Sequence, residues 1–277
     1  MRNETEEEAG ARLRARLTFD GVADLYAAMR PGYPAALYDD LLTDTGLSTA
    51  ANSDHRLLEI GCGAGQATVS LAKRGFAIDC VELGAHLATL AVKRLAGYPR
   101  LNVFNADFEN WTSPVHYELA YCATAYHWLN PATRRERIAT LLAPGGWFAL
   151  WRTYHVHGAQ GEAFADASQA VYAHCAPALA AKFQGLPEAA AIPPTEKEEF
   201  VASGLFDEQS TRCYLWQQRY TAEDYVRMLA THSDHQLLAE DKRATLFTGL
   251  ADLINEKFAG AVVKHHATIL HVVRKRP

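Results

Sequence analysis

LLEIGCGAGQAT, residues 57–68, ends an apolar run at three glycines, Gly61, Gly63 and Gly65. A parallel strand that passes directly into a helix needs a sharp turn, and glycine adopts the positive φ angles that such a turn requires. Glycine also lacks a Cβ, so a ligand can approach the backbone, and the first turn of the helix offers it unpaired N–H groups. The stretch therefore predicts a strand, a turn and a helix that hold a nucleotide-like ligand; a tight turn without a ligand is the alternative.

The composition is that of an ordinary globular chain of 277 residues, with 27 basic and 32 acidic residues and a formal charge of -5. This balance argues against a polyanionic partner, since proteins that bind nucleic acids usually carry a basic field. We therefore expect no nucleic-acid partner; separately, we expect the chain to be a monomer or a homodimer. The five cysteines form no CxxC pair, which favours a reduced, cytoplasmic protein without disulfides or a thiolate zinc site.

The amino-terminal segment is charged and contains no apolar stretch typical of a secretory signal. No run of about 18 apolar residues occurs in the chain, so we expect no membrane span. Residues 1–18 are predicted to be a flexible tail, with a solvated helix as the alternative.

Strand and helix patterns alternate from residue 54 to residue 155. Short apolar runs predict strands at 56–60, 76–83, 101–108, 117–125 and 147–155. Helical periodicity predicts helices at 67–75, 85–99 and 130–142, the last with Asn130 as its N-cap and Pro131 in its first turn. Such alternation is typical of an α/β fold with a parallel sheet, which binds ligands beyond the carboxyl ends of its strands.

The segment from about 157 to 205 interrupts this alternation with an alanine-rich, helical composition. We interpret it as an insertion that forms a cap or lid over the site. Beyond it, patterns predict a strand at 210–220, a helix that begins with Thr221 and Asp224 in capping-box positions, and a further helix and strand: 239–258 and 264–276. Residues 19–277 are expected to form a single domain.

The spacing of the glycines bears on the kind of ligand. A dinucleotide-binding turn reads G-x-G-x-x-G or A, but Gln66 occupies the last of these positions. Glu82 ends the second predicted strand, where a carboxylate can accept two hydrogen bonds from a ribose diol. This acid suits both a dinucleotide and an adenosyl ligand.

Five motifs in order resemble those of the class I S-adenosylmethionine-dependent methyltransferases, in particular the small-molecule methyltransferases of type 11 or 25. They are LLEIGCGAGQAT, VELGAHL, NADFENW, ATAYHWLNP and LLAPGGWFAL, between residues 57 and 150. The upstream segment FDGVADLYAAMRPGYP (19–34) is similar to the helix before the core in a subgroup that includes trans-aconitate methyltransferase. The resemblance implies a Rossmann-like, doubly wound, seven-stranded sheet of order 3-2-1-4-5-7-6 with strand 7 antiparallel.

The resemblance also implies the cofactor S-adenosylmethionine (SAM), a small-molecule O- or N-methyltransferase activity and a set of site residues. In this reading Glu59 orients the methionine moiety, Glu82 binds the ribose, and Asp107 and Phe108 contact the adenine. The whole set implied for cofactor binding is Tyr26, Arg30, Glu59, Gly61, Cys62, Gly63, Gly65, Glu82, Leu83, Asp107, Phe108 and Ala123.

His127 follows the fourth predicted strand, beside the expected position of the transferred methyl group. Its ordinary pKa lies near neutrality, so it is a candidate general base, with packing or orientation beside Trp128 as the alternative. The pairs His155 with His157 and His232 with His235 have spacings that could suit a metal, but neither has a clear third ligand, and we expect no metal site.

Two other functions stay open at this stage. The chain could bind SAM without transferring its methyl group, or it could be a nicotinamide-dependent oxidoreductase. Gln66 in the glycine turn and Asp107 after the third strand speak against the oxidoreductase.

Overall fold

A computed structural model describes residues 6–49, 55–158, 161–193 and 195–277. Its centre is a seven-stranded sheet of order β3-β2-β1-β4-β5-β7-β6. The strands are β1 (Arg56–Ile60), β2 (Ala77–Glu82), β3 (Leu101–Asn105), β4 (Tyr117–Ala123), β5 (Leu142–His155), β6 (Phe206–Thr221) and β7 (Ala261–Lys275). β7 runs antiparallel to both β5 and β6, and the other neighbouring strands are parallel. The predicted order and the reversed strand 7 are confirmed.

Twelve α-helices accompany the sheet in the described ranges. They are α1 (Glu6–Thr18), α2 (Ala23–Met29), α3 (Ala35–Thr45), α4 (Thr68–Ala72), α5 (Ala85–Leu95), α6 (Arg134–Leu141), α7 (Gly161–Cys175), α8 (Pro177–Ala180), α9 (Thr195–Ala202), α10 (Ala222–Leu229), α11 (Ser233–Gln236) and α12 (Glu240–Lys257). No helix among them combines the length and the apolar character that a bilayer crossing requires.

Both faces of the sheet are buried, because alternate residues of the central strands point to opposite sides. Leu57, Leu119 and Tyr121 face one apolar cluster, which includes residues of α3, α4 and α5. Leu58 and Ala120 face the other, which includes residues of α6 and α9. This two-sided burial explains why the short strands read as continuous apolar runs in the sequence.

The amino-terminal segment is not the predicted tail over its described part, since Glu6–Thr18 forms a helix. The Arg12 guanidinium donates a hydrogen bond of 2.6 Å to the carbonyl oxygen of Trp128, close to the carboxyl edge of the sheet. This tertiary contact adds to the helix-forming sequence, so the helical alternative is the one observed. Residues 1–5 lie outside the described residues.

The start of α6 differs from the prediction. The helix begins at Arg134 after Thr133, and Asn130 instead accepts a hydrogen bond from the N–H of Ala132, at 2.9 Å. Asn130 and Pro131 thus form a turn before the helix. An Asn side chain stabilises turns as well as helix N-termini, so the sequence did not distinguish the two. The predicted cap of α10 is confirmed, because the Thr221 hydroxyl accepts a hydrogen bond from the N–H of Asp224.

The segment between β5 and β6 is helical, as predicted, but its two ends lie in different clusters. Phe164 of α7 belongs to a third apolar cluster, shared with residues of α10 and α12. Phe200 of α9 packs on the face of the sheet that carries Leu58 and Ala120. Its ring centroid lies 5.2 Å from that of Tyr126 and 4.9 Å from that of Phe148. α9 therefore packs away from α7, and the role of the segment as a cap or lid stays a prediction.

Candidate active site

The glycine turn after β1 has the backbone that the sequence predicts. Gly61, Gly63 and Gly65 have φ angles of 70°, 57° and 84°. A Cβ on Gly61 would lie 2.8 Å from the Cβ of Ala125, and a Cβ on Gly63 would lie 3.5 Å from Cε1 of Tyr26. A Cβ on Gly65 would instead lie 3.4 Å from Cδ1 of Leu95 in α5. The first two glycines keep the cavity wall free of side chains, and the third allows close packing of the helices.

Glu82 at the end of β2 is held by the backbone on both sides. One carboxylate oxygen accepts the N–H of Gly63 and the other accepts the N–H of Gly84, each at 2.8 Å. The residue is only 8% exposed, so these bonds fix the carboxylate at the rim of the turn. A carboxylate oxygen can accept more than one hydrogen bond, so a carboxylate in this position suits a diol.

Glu59 is buried directly below the turn. Its Oε2 accepts hydrogen bonds from the Thr68 hydroxyl at 2.5 Å and the Tyr121 hydroxyl at 2.8 Å. Burial raises the pKa of Glu59 to about 7, although these two bonds act in the opposite direction. A cation bound nearby would favour the carboxylate form, so Glu59 is suited to pair with an ammonium group.

A cavity of about 380 Å³, here called the glycine cavity, opens above the turn at the carboxyl ends of β1, β2 and β4. Nine of the thirteen predicted site residues line it: Tyr26, Arg30, Gly61, Gly63, Glu82, Leu83, Phe108, Ala123 and His127. Glu59 and Cys62 line an adjoining cavity, described below, and Gly65 and Asp107 line neither. Asp107 follows β3, and its Oδ1 accepts the N–H of Glu109 at 3.2 Å.

Aromatic rings from the upstream segment cover the glycine cavity. Phe19 makes edge contacts with Tyr26 and Trp128, at centroid distances of 5.8 and 5.6 Å. Asp20 fixes this segment to the core, because its Oδ1 accepts the N–H groups of His86 and Leu87 in the first turn of α5. Phe19 and Asp20 were not predicted as site residues. The sequence shows an acid beside a family-like helix, but nothing in it indicates that this acid binds the first turn of α5.

Thr124, directly after β4, is a third residue that was not predicted from the sequence. Its φ of 57° lies in the left-handed region, which costs a β-branched residue more than it costs glycine. The Thr124 hydroxyl lies 3.0 Å from the Tyr33 hydroxyl, and its N–H donates to the Trp151 carbonyl at 2.8 Å. These contacts hold the strained backbone in the wall of the cavity, where Thr124 is available to a ligand.

His127 lies in the same wall, with its ring 4.6 Å from the ring of Trp128. Burial lowers the pKa of His127 to about 4, and the positive charges of Arg152 and Arg134 act in the same direction. The imidazole is therefore neutral near pH 7, free to accept a proton but a weaker base than an ordinary histidine. Its role as general base stays a prediction.

The low pKa of His127 predicts acid sensitivity. An unfolded histidine binds a proton near pH 6.5 but folded His127 only near pH 4, so protonation favours unfolding as the pH falls between these values. Between pH 8 and pH 5, the unfolding free energy of His127→Asn should fall by about 2 kcal/mol less than that of the wild type. Urea denaturation at both pH values measures this. The exposed His86→Asn is the control, and an equal decrease in wild type and His127→Asn would contradict the assignment.

The adjoining histidine cavity, of about 340 Å³, shares Tyr26, Arg30, Gly61 and Thr124 with the glycine cavity. His155, His266 and Trp216 line its far side. Both ring nitrogens of His266 are buried without a hydrogen-bond partner, as is Nε of Arg30. Buried polar atoms are rarely left unpaired in native proteins, so this wall is suited to a polar ligand.

The two predicted histidine pairs have different environments. His155 faces His266, with 4.9 Å between the ring centroids. His157 instead contacts Glu162. His232, Asp234 and His235 have potential ligand atoms within 4.8 Å of one another. However, His235 already bonds Asp234 through Nδ1 at 2.7 Å and the Tyr172 hydroxyl through Nε2 at 2.8 Å. Asp234 is thus a third potential ligand beside this histidine pair, which the spacing of the histidines did not show, and the expected absence of a metal stays a prediction.

Comparison with known proteins places the glycine turn in a family context. Residues 57–146 match the model of the methyltransferase domain Methyltransf_25. Trans-aconitate 2-methyltransferase of Rhodopseudomonas palustris is 31% identical over 114 residues, which cover 40% of this chain and 42% of that protein. An uncharacterised methyltransferase of Mycobacterium bovis is 29% identical over 138 residues, which cover 50% of this chain and 53% of that protein. The chain thus spans about half the length of the curated relatives it matches.

A solved structure shows the same fold over most of the chain. The SAM-dependent methyltransferase from Geobacter sulfurreducens, crystallised with S-adenosylhomocysteine, covers 91% of this chain and 96% of its own, with a TM-score of 0.52 and 17% identity. The resemblance predicted from the sequence is confirmed, since residues 57–146, which carry the glycine turn and Glu82, match the methyltransferase domain of this family.

Proposed function

We propose that this protein transfers a methyl group from SAM to an oxygen or nitrogen atom of a small molecule. The observation that carries the proposal is the glycine cavity, whose side-chain-free turn lies beside a carboxylate held in place by two backbone N–H groups. An adenosyl ligand needs this combination of close backbone approach and a ribose acceptor.

The residues of the cavity fit the parts of SAM. Glu82 accepts the ribose hydroxyls, and the backbone of Gly61 and Gly63 leaves space for the ribose and methionine parts. Phe108, 2% exposed, offers an apolar surface for the adenine ring, and Phe19 and Tyr26 cover the opposite side. Glu59, in the histidine cavity, binds the methionine ammonium.

The chemistry of transfer requires mainly orientation from the protein. When bound, SAM supplies an electrophilic methyl group on a sulfonium, a good leaving group. The walls of the two cavities hold the accepting atom in line with it, and such orientation contributes on the order of 7–11 kcal/mol to rate enhancements. His127, neutral near pH 7, accepts the proton of a hydroxyl or amine acceptor, whereas a carboxylate acceptor has no proton to lose.

The acceptor's small size is supported by the curated relative named trans-aconitate 2-methyltransferase. All five cysteines are free and four are buried, which supports the further proposal of a cytoplasmic location. A monomer or a homodimer is still expected.

A nicotinamide-dependent oxidoreductase is disfavoured by Gln66. Its side chain lies at the last fingerprint position, and its Oε1 would be 3.5 Å from a Cβ on Gly63. A dinucleotide turn normally has a glycine or alanine there to allow close packing. A protein that binds SAM without transferring methyl remains the second candidate, since it would have the same glycine cavity.

Two measurements test these functions. Isothermal titration calorimetry should show binding of SAM and S-adenosylhomocysteine and none of NAD⁺ or NADP⁺; the reverse result would overturn the proposal. Incubation with methyl-labelled SAM and a panel of small carboxylates, alcohols and amines should yield a labelled product. Tight SAM binding without product from any acceptor class would favour the silent binding protein.

A further inference from the structure

A third cavity, here called the lid cavity, lies between α7, α8, α10 and β7 and has a volume of about 310 Å³. Phe164, Leu179, Phe183, Leu186 and Leu229 give it apolar walls. It is separate from the glycine turn, and the proposed SAM contacts use none of these residues. The cavity has the size and apolar lining of a small-molecule site.

Lys264 and Lys182 are the lysines in the wall of the lid cavity, and Lys264 is the less exposed of the two. The Lys264 ammonium lies 5.2 Å from the ring centroid of Tyr225, and no carboxylate within the described ranges lies within ion-pair distance of it. Burial lowers the pKa of Lys264 to about 7, and the charge of Arg30 adds to this effect. The amine is therefore partly neutral near pH 7, and a bound anion would favour its charged form.

The lid cavity adjoins the proposed site of methyl transfer. His155 and His232 line both the lid cavity and the histidine cavity, and His232 also lines the glycine cavity. Nε2 of His232, in the wall that the three cavities share, is buried without a hydrogen-bond partner. A ligand in the lid cavity therefore lies next to the cofactor side, against a polar group that lacks a partner.

We propose, on the basis of the proposed function, that the lid cavity binds the methyl acceptor and that the acceptor is a carboxylate with an apolar body. The aliphatic or aromatic body occupies the space between α7, α8 and α10. The carboxylate pairs with Lys264 on the side that faces Arg30. Lys264 and Arg30 repel each other, and an anion between them is attracted to both. The neutral analogue of such an acid lacks this attraction, so charge determines which ligands the cavity selects.

Octanoate and its uncharged analogue octanamide are suitable probes, because they share an apolar chain and differ in charge. Each is titrated into the full-length protein by calorimetry, first with the protein saturated with S-adenosylhomocysteine and then without it. We expect octanoate to bind at least about tenfold more tightly than octanamide, since a charge-assisted pair in an apolar wall contributes that much. Equal affinities, or no binding of octanoate, would overturn the proposal.

Variants locate the binding. Lys264→Met retains an apolar chain of similar length and should reduce octanoate affinity at least tenfold without changing octanamide affinity. Lys182→Met is the matched control, because Lys182 also lines the cavity but is exposed, and it should change affinity less than twofold. Leu179→Trp should block both probes by filling the cavity. Unchanged octanoate affinity in Lys264→Met, with thermal melting confirming the fold, contradicts the proposal.

The outcome is separable from that of the proposed function. Binding of S-adenosylhomocysteine is measured alone in each variant, and Lys264→Met should leave it within twofold of wild type. If the wild-type protein does not bind S-adenosylhomocysteine, the methyltransferase proposal is refuted, whether or not octanoate binds. The selectivity for octanoate over octanamide tests the lid cavity alone.

Discussion

Gly61→Ala is expected to destabilise the protein by about 2–4 kcal/mol and to weaken SAM binding at least tenfold. Alanine at a φ of 70° costs about 1–2 kcal/mol, and its Cβ would lie 2.8 Å from the Cβ of Ala125, so the turn or the segment after β4 must move. Both segments form walls of the glycine cavity, and their displacement removes the close approach that the cofactor needs. Urea denaturation and calorimetry with SAM measure the two effects.

Gly97→Ala is the matched control for this substitution. Gly97 lies after α5 with an ordinary φ angle, and a Cβ there would meet no atom within 4 Å. We expect no loss of SAM affinity and a change in stability within about 0.5 kcal/mol. If Gly61→Ala bound SAM as tightly as Gly97→Ala, the turn would not be the cofactor site.

Glu82→Ala is expected to reduce SAM affinity by about 1–3 kcal/mol, the range for hydrogen bonds to a charged group. The loss has two sources. The ribose loses its acceptor, and the N–H groups of Gly63 and Gly84 lose theirs, which loosens the turn itself. Calorimetry with SAM and with adenosine separates these sources, because both ligands carry the ribose but only SAM extends along the glycine turn.

Asp79→Ala is the control for Glu82, since both acids are buried on β2. Asp79 accepts hydrogen bonds from Arg56, Asn102 and Tyr117 near the opposite end of the strand. Its removal should lower stability and leave SAM affinity within twofold of wild type. Unchanged affinity in Glu82→Ala would remove the ribose assignment.

Local patterns in the sequence predicted the fold because each rests on contacts within a short segment. The apolar run before Gly61 and the alternation of strands and helices fixed the parallel half of the sheet. The pairing of Thr221 with Asp224 fixed the start of α10, because both partners of the bond lie within one turn. The position of β7 between β5 and β6 came from the resemblance, since no local pattern gives strand order.

The features that the sequence did not predict depend on distant partners. Asp20 caps α5 across 66 residues, and Arg12 binds the Trp128 carbonyl across 116. The strain at Thr124 is held by Tyr33 and Trp151, and threonine is not a residue that marks a left-handed turn. Lys264 and His266 resemble ordinary members of a polar stretch in the sequence; in the sheet, His266 lies opposite His155 of β5 and Lys264 lies opposite Gln218 of β6.

The reversal of β7 divides the site between two stretches of the chain. Most of the cofactor wall comes from residues 59–129, inside the matched domain, while Lys264 and His266 come from the far end of the sequence. Exchange of the chain after β5 therefore changes the walls of the lid cavity and leaves residues 59–129 unaltered. A chimera that takes residues 155–268 from a homologue should accordingly acquire its substrate preference and still bind SAM.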